Sequence, residues 1–173
     1  VILNRLVYKN NVNPSKVLAG FNISKTAPIV SIFNPVLAKH LIQTYLWEFD
    51  EVFDPFSGFS GRLLGTLSCQ KQYIGQDIRQ VAVNESNEII KFLSAEKQAS
   101  VTQRNVLESN GSYPCLLTCP PYAQKEIYGS EVAFKFCDEW IDECLQRFNC
   151  KSYVFVVDET EKYKESVVET IQN

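Results

Sequence analysis

The sequence predicts an α/β protein with a Rossmann-like, doubly wound and mostly parallel sheet carrying helices on both faces. Short runs rich in β-branched and aromatic residues alternate with stretches of helical period, the pattern of strands joined by crossover helices. One run, Ser152 to Val157, is apolar almost throughout, which fits a strand buried on both faces. A glycine-bearing turn, Pro55 to Gly61, separates a strand-like from a helix-like segment, and folds of this class bind ligands at such strand ends. A length of 173 residues, 45% of them hydrophobic and 12% aromatic, suffices for one compact domain and excludes both a disordered chain and a small disulfide scaffold.

Residues 1 to 30 mix Asn, Lys and Pro with short apolar runs at no sustained period. An irregular N-terminal arm is expected there, and a single domain over residues 31 to 173. From Pro35 the residues Val36, Leu37, Leu41, Ile42, Tyr45 and Leu46 recur at helical spacing, with Asn34 as N-cap and Pro35 at the first helical position. Glu51 to Asp54 reads as a short strand, and Arg62 to Ser68 resumes a helical pattern after the turn. Tyr73 to Asp77 is the second strand, Gln80 to Ala95 a helix with Val81, Ile89, Ile90 and Leu93 apolar, and Ser100 to Val106 the third strand. Pro114 to Thr118 is the fourth, broken by Pro120 and Pro121. Val132 to Phe148 carries Val132, Phe136, Trp140, Ile141, Cys144, Leu145 and Phe148 on one stripe, and Ser152 to Val157 is the fifth strand.

Seventeen Lys and Arg against 20 Asp and Glu leave a charge of −3, which is not the basic footprint of a self-sufficient nucleic-acid binder. Arg62, Arg79, Lys97, Arg104 and Lys125 are scattered, and most of them read as solvated surface residues. No run approaches the ~20 apolar residues that span a bilayer, and no signal-peptide layout is visible, so a soluble, cytoplasmic protein is expected. Six cysteines without a C-x-x-C pair, and a lone histidine, His40, suggest free thiols rather than a zinc site or a disulfide framework. A chain that starts at Val1 and contains no Met is expected to be a piece of a longer protein.

A parallel sheet brings the carboxyl ends of its strands to one edge, which would gather Asp54 to Gly61, Asp77, Asn105 and Cys119 to Tyr122. Gly58 and Gly61 permit a tight turn and close approach of a ligand to the backbone, although a plain strand-to-helix turn also needs glycine. Neither G-x-G-x-x-G nor Gly-Lys-Ser/Thr occurs, which disfavours a pyrophosphate ligand. Asp77 can accept hydrogen bonds from both hydroxyls of a ribose, or be a solvated loop acid. Asn105 can read an adenine edge through its amide, or serve as a turn residue. In Thr118-Cys-Pro-Pro-Tyr122 the two prolines have fixed φ and no N–H, so they hold neighbouring carbonyls outward in a rigid loop beside an aromatic ring. Such a loop suits a flat ring bearing an amino group; the plain alternative is a stiffened loop with Tyr122 packed on the core.

Taken in order, these segments resemble the S-adenosylmethionine-dependent DNA methyltransferases that modify exocyclic amino groups, adenine N6 or cytosine N4, in restriction-modification. Asp54-Pro-Phe-Ser-Gly-Phe-Ser-Gly61 is similar to that family's cofactor motif, Tyr73 to Asp77 to its ribose-binding strand, and Thr118-Cys-Pro-Pro-Tyr122 to its catalytic loop. Ser31-Ile-Phe-Asn-Pro35 resembles the segment that wraps the methionine end of the cofactor. The resemblance implies S-adenosylmethionine as cofactor, bound by Phe33, Asp54, Pro55, Phe56, Ser57, Gly58, Gly61, Asp77, Ile78, Asn105 and Thr118. It implies catalysis by Cys119, Pro120, Pro121 and Tyr122 without a metal, on a DNA base flipped onto Tyr122, with Lys125 and Tyr128 beside it.

The same resemblance makes residues 31 to 173 the cofactor-binding catalytic domain, with target recognition supplied by a separate region or subunit. The family's sheet ends in an antiparallel hairpin for which no sequence follows Val157, as in a chain truncated at its C-terminal strands. Two positions depart from the family. Cys119 stands where Asp, Asn or Ser is usual, and a thiol is a weak acceptor; Asn105 replaces an acid at the adenine contact. Two further readings remain: methylation of RNA or of a protein amide, and a catalytically impaired cofactor-binding subunit.

Overall fold

The computed structural model describes residues 32–121 and 137–157. The N-terminal arm, Ser31, Tyr122, Lys125, Tyr128, Val132 and Phe136 lie outside the described residues. Helix α1, Pro35–Tyr45, starts where the sequence places it, with the Asn34 side chain accepting from the Val36 N–H at 2.9 Å and Pro35 at the first position. Its apolar stripe is narrower than the sequence predicts. Ala38, Ile42 and Leu46 form the buried row, at spacing four, while Val36, Leu37 and Tyr45 are exposed.

Strand β1, Glu51–Asp54, leads through the glycine turn into α2, Gly61–Ser68, and then β2, Gln72–Asp77. Helix α3, Gln80–Phe92, buries Ala82, Val83, Ser86 and Ile90 and leaves Val81 and Leu93 exposed, contrary to the predicted face. It stops short of Ala95 because Ser94 turns left-handed at φ 54°. Strand β3, Ala99–Gln103, also ends early, since the Asn105 side chain accepts from the Leu107 N–H and caps a 3₁₀ turn at Val106–Glu108. Strand β4, Gly111–Thr118, is followed by α4, Cys137–Arg147, and β5, Phe148–Phe155. Phe148 therefore opens a strand instead of closing the predicted helical stripe, and it packs edge-on against Phe53 and Tyr113.

The five strands lie in the order β3-β2-β1-β4-β5 and every pair is parallel. Val52 and Tyr73 face α1, α2 and α3, in clusters with Ile42 and Leu46 on one side and Leu63, Val83 and Ile90 on the other. Phe53 and Leu116 face the opposite layer, with Cys144 of α4 and Phe148. Helices thus cover both faces, as predicted. The cover is incomplete beside β3: residues 104–110 cross to β4 with only the 3₁₀ turn, and Ser100 and Thr102 are exposed. Strand β5 is not buried on both faces either. After Phe148 none of its residues is fully buried, because β4 is its only strand partner among the described residues. Among those residues no helix is long and apolar enough to cross a membrane, and no group of three His, Cys, Asp or Glu could hold a metal.

Candidate active site

The order of the strands reverses between β1 and β4, and the last residues of these two strands meet at the sheet edge. Asp54 ends β1 and is fully buried, which for a carboxylate requires partners on both oxygens. Oδ2 accepts from Arg62 Nε at 2.6 Å and from the Tyr73 hydroxyl at 2.8 Å. Oδ1 accepts from the Thr118 hydroxyl at 2.6 Å and from the Phe56 N–H at 3.2 Å. Arg62, one of the scattered charges in the sequence, is only 4% exposed. The first turn of α2 sets it over the end of β1, where the carboxylate compensates its charge. Burial by itself would lower the guanidinium's pKa, but the neighbouring Asp54 carboxylate holds it above the usual value. The Tyr73 hydroxyl is pushed well above its usual range by burial first and then by Asp54, so it stays a donor.

The loop after β1 is fixed residue by residue. Ser57 N–H donates to the Gln76 carbonyl at 2.8 Å, and Gly58, at φ 57°, donates its N–H to Asp77 Oδ2 at 2.9 Å. Asp77 Oδ1 accepts from Arg79, through its N–H at 2.9 Å and Nε at 3.2 Å. The Ser60 and Ser86 hydroxyls lie 2.8 Å apart and tie the loop to α3. Gly61 is glycine for a packing reason, since a Cβ there would lie 2.0 Å from the Phe33 carbonyl oxygen. Arg62 donates to the Phe56 carbonyl and places its guanidinium 4.9 Å from the centre of the Phe33 ring. One buried arginine thus touches both the glycine loop and the segment predicted to wrap a cofactor.

At the ends of β2 and β3, Ile78, Gln103, Arg104, Asn105, Glu108 and Ser109 line a cleft of about 370 Å³, within the size range of small-molecule sites. Its floor is held by the Arg104 N–H on the Asp77 carbonyl and by Gln103 Nε2 on the Ile78 carbonyl, both at 3.1 Å. Two buried polar atoms, Ser57 Oγ and Gln76 Oε1, have no hydrogen-bond partner among the described residues. They sit in the glycine loop and next to Asp77, so polar capacity is left over at this end of the sheet.

The predicted residues therefore fall into three groups. Phe33, Pro55, Phe56, Ser57, Gly58, Gly61, Asp77, Ile78 and Asn105 belong to this edge of the sheet. Asp54 and Thr118 are buried, with their polar groups bonded to each other. Cys119, Pro120 and Pro121 continue directly from Thr118, with Pro120 buried and its two neighbours half-buried; Tyr122, Lys125 and Tyr128 fall outside the described residues. Sequence reasoning missed Arg62, the Tyr73 hydroxyl, and the contacts of Phe59 with Arg79 and of Phe56 with Trp140. A signal for Arg62 existed: it is a single charge in the apolar run Gly61-Arg-Leu-Leu, one glycine turn after Asp54.

The sheet order, the glycine loop at the reversal point and the acid ending β2 define a Rossmann-like fold of the class I methyltransferase type. The solved structures that share it include a candidate RNA methyltransferase of Pyrococcus horikoshii, with a TM-score of 0.56 and 15% identity over 71% of this chain and 58% of that one. They also include a candidate methylase of Haemophilus influenzae, with a TM-score of 0.55 and 14% identity over 79% of this chain and 77% of that one. This chain thus spans less than two thirds of the Pyrococcus protein, and at such identities the likeness is one of fold. No protein-family model and no curated protein sequence matches the chain.

Proposed function

We propose that this chain is an S-adenosylmethionine-dependent methyltransferase acting on an exocyclic amino group of a nucleobase in DNA, adenine N6 or cytosine N4. The observation that carries the reading is the 2.6 Å hydrogen bond between Thr118 and Asp54. It sets the start of the Cys119-Pro120-Pro121 loop against the glycine loop at the reversal of strand order, where folds of this class bind their ligands. RNA is the second reading, favoured by the fold shared with the Pyrococcus protein.

In this reading Asp77 takes the ribose hydroxyls, Ile78 and Asn105 the adenine ring, Ser57 and Gly58 the middle of the cofactor, and Phe33 its methionine end. When bound, S-adenosylmethionine supplies a methyl group on a sulfonium centre. An exocyclic amine is a poor nucleophile because its lone pair is delocalised into the base, so the work of the chain is positioning. The carbonyl of Cys119 or Pro120 and the side chain at position 119 accept the two amino hydrogens, which draws the nitrogen toward tetrahedral geometry. The Cys119 thiol supports this only weakly as an acceptor. Tyr122 stacks on the flipped base, and Lys125 and Tyr128 contact the nucleic acid. With a net charge of −3, the bulk of phosphate binding falls to a separate recognition region or subunit.

Calorimetric titration with S-adenosylmethionine and S-adenosylhomocysteine tests the cofactor, and transfer of labelled methyl onto DNA and RNA tests the substrate. Saturable binding of both ligands, with label entering DNA, is expected. Label entering RNA alone moves the substrate to RNA, and absence of binding removes the methyltransferase reading.

A further inference from the structure

We infer that Asp54, Arg62 and Thr118 are positioning residues that couple the glycine loop to the Cys119-Pro120-Pro121 loop, so that ordering one orders the other. Three hydrogen bonds converge on one atom, one of them from Arg62 Nη2 at 3.4 Å, and the other two come from the two loops. Asp54 Oδ1 accepts the Phe56 N–H, from the second residue of the glycine loop, and the Thr118 hydroxyl, from the residue before Cys119. Asp54 Oδ2 is held by Arg62 Nε and the Tyr73 hydroxyl. The carboxylate therefore has no slack with which to follow one loop and release the other. Arg62 extends the unit, because its guanidinium also bonds the Phe56 carbonyl and lies against the Phe33 ring. The Asp54 carboxylate, the Arg62 guanidinium and the Tyr73 and Thr118 hydroxyls are buried, while the Phe56 bonds are part-buried, so water does not readily replace the Thr118 bond once it is lost. Asp54 and Thr118, with no exposed surface, act in this way beneath the ligand rather than on it.

The coupling deepens the methyltransferase reading, and its kinetic consequence rests on that reading, but its physical content can be measured in the free chain. Amide hydrogen exchange is followed in the parent, Thr118→Val, Thr118→Ser and Arg62→Lys. Thr118→Val replaces the hydroxyl with a methyl group of similar size, and exchange is expected to accelerate about tenfold at Phe56, Ser57 and Gly58 as well as at Cys119. Thr118→Ser restores protection, and Arg62→Lys accelerates exchange at Cys119 from the other side. In methyl transfer Thr118→Val lowers kcat about tenfold and Thr118→Ser recovers it. Exchange changes confined to the neighbours of each substituted residue overturn the coupling, whatever the activity. Spread of the change in a parent that transfers no methyl leaves the coupling standing and removes the methyltransferase reading instead.

Discussion

Asp77 already accepts the Gly58 N–H on one oxygen and Arg79 on the other. The Arg79 side chain takes a further site on each oxygen, Nε on Oδ1 at 3.2 Å and Nη2 on Oδ2 at 3.5 Å, so in the proposed reading a ribose replaces that side chain on Asp77. Asn105 is differently placed, since its Oδ1 is committed to the Leu107 N–H and only its amide nitrogen, 3.4 Å from Glu108, is free to turn toward a ligand. Asp77→Ala should therefore weaken S-adenosylmethionine binding at least tenfold, and Asn105→Ala by less; equal dissociation constants by calorimetry would take Asp77 out of the ribose role. At position 119 the ordering expected in methyl transfer is Ser above Cys above Ala, following acceptor strength. Equal rates for Cys119→Ser, Cys119→Ala and the parent would leave that side chain without a part in catalysis. Residues whose task is local were legible in the sequence, as Asn34 and Gly58 show. Arg62 was legible only as an odd charge in the run Gly61-Arg-Leu-Leu, because such a charge signals burial only once its counter-ion is known to lie under it.

The glycine loop works as an element because Gly61 lets the Phe33 backbone cross the start of α2. Gly61→Ala would drive a methyl group into the Phe33 carbonyl, so a loss of about 2 kcal/mol or more in unfolding free energy is expected. Cofactor affinity should fall with it, as the Phe33 segment is pushed off Arg62. A variant with parental stability in urea would show that the segment does not need this crossing. Element types followed from periodicity, and β1 and the start of α1 fell at the predicted residues. Boundaries failed where a tertiary contact outweighed the local pattern. Phe148 continues the helical stripe in sequence but is drawn into β5 by Phe53 and Tyr113. The exposed faces of Val36 and Val81 failed for a related reason, as a short helix touches its sheet along one row and the apolar residues beside that row stay outside.

For the molecule as a whole, the buried thiols set a limit at high pH. Burial raises Cys115 from the ordinary 9.0 to about 12, and Cys150 to about 11. Between those limits the folded chain holds protons that the unfolded chain has lost. The stability this represents is complete below pH 9 and disappears as the pH rises toward 11 and 12. The thermal midpoint should fall steadily above pH 9, and Cys115→Ala should make the fall shallower; a parallel course for parent and variant would show that this thiol does not contribute.

The bond between Asp54 and Thr118 joins residues 64 positions apart in the chain. Strands β1, β2 and β3 pair through neighbouring segments, whereas β4 must return to the middle of the sheet after all three exist. Closing that long loop is the slow step such topologies impose. During synthesis, Asp77 and the glycine loop can thus assemble while Thr118 is still inside the ribosome, and the two loops are joined only when the fourth strand docks.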